Sequence, residues 1–256
     1  MADAPAATGA PCPGLLVTAL VPDRTTAVAA AALVAAAVAD GANVAAMVPA
    51  ECGLDEPCEQ GSAGALLRWA AGHLDDPRAV TPFAFDDADA GPLLAAQAAK
   101  CLPHAAALDR ARTTLTAGRT LLVVADAAGP CEPLAGSLTT LDLAARWGLA
   151  LVAVVPAGRT ALGQARALAA LAQGHDVPLG GVLVVPATQG RGAAHGEARA
   201  RWDEDAVATL RTTLAAMLDV PVAALGPVDD VHDRAVLRDA ARAAQVAALL
   251  PRVAVG

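Results

Sequence analysis

Residues 15–28, LLVTALVPDRTTAV, pass from a wholly apolar run through Pro22, Asp23 and Arg24 into a long alanine-rich segment. An unbroken apolar run of this length suits a strand covered on both faces, and the alanine-rich continuation suits a helix. The stretch therefore reads as strand, tight loop, helix. In α/β proteins such a loop is where free helix N–H groups hold a phosphate. Residues 19–27, ALVPDRTTA, contain no glycine and no lysine, and Pro22 lacks a backbone N–H. The scaffold of a phosphate site is legible here without the groups that make one.

Working outward, the same alternation continues. Apolar runs at 14–20, 43–48, 120–125, 149–155, 181–186 and 221–225 read as strands. Helical segments lie between them near 25–39, 60–72, 91–117, 137–147, 160–174, 203–217 and 233–248. Continuous apolar strands alternating with helices predict one doubly wound α/β domain, its sheet mainly parallel and covered by helices on both faces. The domain is expected to span 14–256, behind a disordered Pro/Ala-rich tail at 1–13. The ligand site of such a fold lies beyond the carboxyl ends of the strands. Two polar, Gly/Pro-punctuated stretches, 49–60 and 186–202, read as surface loops or substrate-facing lids.

Composition narrows the partners. Apolar residues make up 55% of the chain, aromatics only 2%, and there is no tyrosine, so a pocket is expected to be lined by aliphatic groups rather than rings. The net charge of -8 argues against nucleic acid or an anionic membrane as partner. Ala27 to Ala39, the longest uncharged apolar run, is too short to span a bilayer. The N-terminal residues lack a signal sequence, which predicts a cytoplasmic location. Cys12, Cys52, Cys58, Cys101 and Cys131 have no C-x-x-C spacing, and read as free thiols in a reducing compartment. The histidines, His73, His104, His175, His195 and His232, are scattered, so no metal site is expected. Among 18 basic residues the only lysine is Lys100.

In order along the chain, several landmarks resemble dethiobiotin synthetases, ligases with a P-loop NTPase-like fold that close a cyclic urea using carbon dioxide and ATP. Val17-Thr18 followed by residues 19–27 is similar in place and spacing to that family's V-T-G-T-D-T-x-V-G-K-T. Met47 to Gly53 stands where the family has K-P-V-x-(S/T)-G, and Thr81 to Phe85 resembles N-P-Y-x-F. Val123 to Gly129, then Pro133-Leu134, resembles L-V-E-G-A-G-G with its following P-L. Val155 to Ala165 is matched to V-x-A-x-L-G-x-L-N-H, and Ala224 to Val228 to L-L-G-x-(I/L)-P. The resemblance covers residues 14 to 228, and rests on the order of landmarks rather than on catalytic identities.

Set against that family, the chemistry at the landmarks is replaced. Ala27 stands at the metal-binding Thr, Met47 or Val48 at the second-strand Lys, and Ala125 at the acidic magnesium ligand. Ser62-Ala63-Gly64 offers no carboxylate where the family has one, and Val184 or Val185 replaces a base-reading Asn. Lys100 is the only lysine, so no realignment restores the phosphate-binding cation. The resemblance thus implies a degenerate P-loop, with Mg-ATP and other cofactors not expected.

What remains at the strand ends is a wall of Val21, Pro22, Val48 and Ala125, with Arg24, Cys52, Cys131 and Arg159 among its polar groups, as a candidate substrate-binding set. Asp126, Glu132, Glu51 and Asp23 are the candidate catalytic carboxylates, since burial raises a carboxyl's pKa towards the range of a general acid or base. Each has a plainer reading. Asp126 also fits a turn cap, Glu51 and Glu132 solvated loops, and Asp86 to Asp89 a solvated helix start. Thr25 and Thr26 are expected to cap the helix, with Arg24 either pairing with Asp23 or binding a carboxylate. Gly158-Arg159-Thr160 opens another helix whose N–H groups could hold an anion, and in the resembled family this region lies at a homodimer interface. The function expected is an ATP-independent cyclase or isomerase of a largely apolar small molecule, acting as a homodimer. The alternatives are a non-catalytic scaffold subunit and an atypical ATP-dependent cyclo-ligase.

Overall fold

The computed structural model describes residues 12–72, 75–187 and 202–251. The tail expected at 1–13 and the lid or loop at 186–202 fall largely outside the described residues, as do His73 and His195.

The chain runs β1 (Gly14–Thr18), α1 (Arg24–Ala39), β2 (Val44–Met47), β3 (Ala50–Cys52), α2 (Ala63–Ala70), α3 (Pro77–Val80), β4 (Phe83–Phe85), α4 (Pro92–Ala98), α5 (Ala105–Thr116) and β5 (Leu121–Ala125). It continues through β6 (Pro133–Ala135), β7 (Leu138–Thr139), α6 (Thr140–Trp147), β8 (Ala150–Pro156), α7 (Ala161–Gly174), β9 (Leu179–Val185), α8 (Glu204–Leu218), β10 (Val222–Ala224) and α9 (Arg234–Ala243). All six strands read from the apolar runs pair in one sheet, in the order β10-β9-β8-β1-β5-β2, and every pairing is parallel. This is a doubly wound, P-loop NTPase-like α/β fold.

Side-chain alternation explains the two layers. Leu15, Val17 and Val123 point to the face covered by α1, α2 and α9. Leu16, Leu122 and Val124 point to the other, covered chiefly by α5 to α8. Helix α1 is almost all alanine and valine, and ten of its residues are buried. Alanine has the highest helix propensity, and its small side chain lets α1 lie close against sheet, α2 and α9 at once.

Several boundaries differ from the sequence reading. The helix expected at 91–117 is two helices: α4 ends as Lys100 turns to φ 53, and Pro103, which has no N–H to donate, precedes α5. The helix expected at 233–248 stops at Ala243, where Gln245 takes φ 56 before a 3-10 turn at Val246–Leu249. Residues 137–139 belong to the small β6–β7 hairpin rather than to α6. The acidic run 86–89 is a turn, not a helix start: Asp87 Oδ1 accepts from the N–H groups of Asp89 and Ala90, at 3.0 and 3.1 Å. No helix among the described residues is long and apolar enough to cross a membrane.

Strand order reverses at β1. The chain leaves it for β2 on one side, and later builds β8, β9 and β10 on the other. Such a reversal opens a crevice at the carboxyl ends of the adjoining strands.

Candidate functional site

The crevice is present as a cleft of about 550 Å³ beyond the ends of β1 and β5. Its walls come from the β1–α1 loop, β3, the start of α2, the loop before α4 and the turn after β5. Pairing of β3 with β4, in parallel through Ala50–Phe83 and Cys52–Phe85, carries Glu51 and Cys52 into the wall.

Of the residues proposed from sequence, Pro22, Asp23, Arg24, Glu51, Cys52, Ala125, Asp126 and Glu132 line this one cleft. Four do not. Val21 is 84% exposed on the outside of its loop, and Val48 lies wholly in the core. Cys131 is exposed and Arg159 is exposed at the end of β8, neither forming part of the cleft wall. Periodicity could not separate Val21 from Pro22, because a loop residue's direction depends on its backbone turn.

The residues missed from sequence are Asp89 and Gly91 before α4, Ser62 and Ala63 at the start of α2, and His232. Nothing local marks them; they are brought in by tertiary packing. The wall is more acidic than expected: Asp23, Glu51, Asp126 and Glu132, named from sequence, are joined by Asp89, and they face one Arg and one His.

These carboxylates have different employments. Asp23 caps α1: its Oδ1 accepts from the N–H groups of Thr25 and Thr26, at 2.8 and 3.3 Å, and from the Thr25 hydroxyl. Thr26 returns the bond by accepting from the Asp23 N–H, completing a capping box. The cap expected of Thr25 and Thr26 therefore falls on Asp23, which lies at the helix end where a phosphate would bind.

Glu51 does the same for α2. Its two oxygens accept from the N–H groups of Ala63 and Gly64, at 2.6 and 3.1 Å. Burial pushes its carboxyl pKa up against the pull of these bonds.

Asp126 is buried and saturated. One oxygen accepts from the hydroxyls of Thr18 and Thr140, at 2.7 and 2.9 Å, and the other from the N–H groups of Ala128 and Gly129, both at 3.0 Å. It ties the end of β1, its own turn and the start of α6 together, although burial raises its pKa.

Glu132 is different. Among the described residues no hydrogen bond to its carboxylate forms, and it lies half-buried with that carboxylate touching the Gly91 backbone, where a Cβ would collide with it. Cys52 sits among Asp87, Glu51 and Glu132; burial, and then these charges, push its thiol pKa up to about 11. It is thus a neutral thiol rather than a nucleophile at ordinary pH. All five cysteines are free. Among the described residues no three His, Cys, Asp or Glu side chains converge as metal ligands.

The β1–α1 loop has no glycine to turn its amides onto phosphate and no lysine, and the helix end it leads to is already filled by a carboxylate.

Fold and cleft position define the protein as P-loop NTPase-like. Residues 14–233 match the family model described as AAA domain, and the chain belongs to that family. No curated protein matches. Among solved structures the chain is similar to chloroplast FtsY from Physcomitrella patens, at 14% identity and a TM-score of 0.41, covering 91% of this chain and 66% of that one. It is also similar to FtsY from Mycoplasma mycoides, at 13% identity and a TM-score of 0.38, covering 89% and 67%. The chain thus spans about two thirds of the length of these structures.

Proposed function

We propose that the protein is a divergent, dethiobiotin-synthetase-like member of its family that works without ATP or magnesium. It binds a small molecule in the cleft and acts on it by acid–base positioning, in a cyclisation or isomerisation. The observation that carries this reading is the Asp23 cap. The helix end that would hold a phosphate is satisfied by the chain's own carboxylate, whose charge repels another anion.

Glu132 is the candidate base, because its lone pairs are not taken by the described residues. Arg24 and His232 flank the same space and would orient a polar group of the ligand. Pro22, Ala125 and Ala127 supply the aliphatic surface for its body. The acidic wall favours a ligand bearing hydroxyl or protonated nitrogen groups over one bearing phosphate. Homodimerisation and a cytoplasmic setting belong to the same proposal.

Titration calorimetry with Mg-ATP tests it. No saturable heat is expected at millimolar nucleotide, whereas magnesium-dependent binding would sink the reading and favour an ATP-dependent cyclo-ligase. With the cleft substrate in hand, Glu132→Gln is expected to slow turnover about 10²- to 10⁴-fold, the usual worth of a positioned acid or base.

A second reading, a non-catalytic scaffold subunit, draws support from the engagement of Asp23, Glu51 and Asp126 in backbone capping. It predicts a co-purifying partner, and no effect of Glu132→Gln on the pathway's product.

A further inference from the structure

On the face covered by α1 and α9, away from the cleft, a groove of about 420 Å³ runs beside α9. Ala35, Val38 and Ala39 of α1 with Ala70 of α2 form its floor, and Arg234, Arg238 and Arg242 form its wall. A second hollow of about 370 Å³ shares Ala39 and Arg242 and prolongs it past Asp40 to Ala247 and Ala248. Val38 is 37% exposed there.

The arginines recur every four residues, so they stand in one row about 6 Å apart, spanning about 12 Å along the helix. Arg234 closes one end. Its guanidinium lies 5.1 Å over the Trp69 ring and donates to the Trp69 carbonyl at 3.0 and 2.6 Å. Among the described residues Arg238 forms an ion pair only with its sequence neighbour Asp239, exposed and at 3.0 Å, which holds it weakly. Arg242 lies exposed in the last turn of α9.

We propose that this groove docks an acidic amphipathic helix of a partner protein. Alanines on the floor let a second helix approach closely, and Val38 offers it an apolar contact. Carboxylates on that helix at i, i+4 and i+8 share the arginines' spacing, and guanidinium with carboxylate makes the directional, two-point bond that fixes register. A row of arginine only about 12 Å long matches the local acidic stripe of one helix rather than the extended charge of a nucleic acid. The inference stands apart from the cleft and from any reaction there.

The test is fluorescence anisotropy of the full chain with a labelled helical peptide, EAALEAALEAALEAAL, and with its counterpart bearing Lys for Glu. Saturable, salt-sensitive binding of the acidic peptide is expected, weakened about tenfold by Arg238→Gln and again by Arg242→Glu, with unchanged circular dichroism in each variant. The Lys peptide is expected not to bind. The proposal is overturned if the acidic peptide does not bind, if Arg238→Gln and Arg242→Glu leave its affinity unchanged, or if the Lys peptide binds equally. It is equally overturned if a duplex DNA binds in its place with the same arginine dependence. Sedimentation of the protein alone supplies the last arm: a dimer that Arg242→Glu dissociates would make a second copy the occupant and overturn the proposal.

Discussion

Asp126 holds four donors at once, two hydroxyls and two backbone N–H groups, in a site with 3% exposure. Asp126→Ala leaves the Ala128 and Gly129 N–H groups unpaired, while the Thr18 and Thr140 hydroxyls turn to the Ala19 and Gly129 carbonyls, at 3.2 and 3.4 Å. Each buried unpaired donor costs about 1–3 kcal/mol, so a loss of about 2–6 kcal/mol is expected in urea denaturation, with Asp126→Asn milder because its amide oxygen still faces two of the donors. Glu51 makes a pH prediction. Its folded pKa is raised above the ordinary 4.5 by burial, so its stabilising share is complete below that value and is lost as pH rises through the folded pKa. The stability difference between wild type and Glu51→Gln should therefore shrink on going from pH 4 to neutrality in paired denaturation curves. Cys52, with its thiol pKa near 11, should be alkylated by iodoacetamide at pH 8 well after exposed Cys101 and Cys131, as peptide mass spectrometry would show. Sequence supplied the list of carboxylates but not their employment. Whether Asp126 caps or reacts depends on Thr18 and Thr140, 108 and 14 residues away, which no local pattern exposes.

Among the elements, α1 depends on its first turn. Asp23→Ala removes the cap and should cost about 1 kcal/mol, while Asp23→Ser should retain most of it, measured as shifts in the urea midpoint. Neither is expected to confer Mg-ATP binding, since the loop still lacks lysine and glycine. Strand β9 has a tighter constraint. A Cβ on Gly181 would stand 2.5 Å from Leu249 Cδ2 and 2.8 Å from the Pro221 carbonyl, the group that accepts from the Val182 N–H. Gly181→Ala should loosen the β9–β10 pairing at a cost of about 1–3 kcal/mol, read as earlier hydrogen exchange of Val182 and of Leu225, whose N–H donates to the Val184 carbonyl. Elements were legible where the apolar pattern was long, as in the six strands of the sheet. They were misread where a single residue overrides it: Pro103 splits a helix whose composition is otherwise continuous, and Gln245 ends α9 within an alanine run. Strands β3 and β4 were invisible because three residues of each carry no period, yet their pairing brings Glu51 to the cleft.

At the scale of the molecule, the parallel sheet with two covered faces was legible from composition and alternation, and with it the end of the sheet where the cleft lies. The strand order was not, since any of the apolar runs could have neighboured any other. The charge of the cleft was legible in part: Asp23, Glu51, Asp126, Glu132 and Arg24 were named from sequence, whereas Asp89 and His232 arrive from loops far from the strand ends that suggested the site. The order that emerged has a consequence for biosynthesis. Central strand β1 pairs with β5 through Gly14 and Leu122, a separation of 108 residues, and with β8, which follows later still. At a translation rate of about 5–20 residues per second, β1 waits about 5–20 seconds for its first partner to be made. Throughout that interval an aliphatic strand, LLV, stands unpaired on the nascent chain, so the yield of folded protein should depend on elongation rate and on chaperones that shield it.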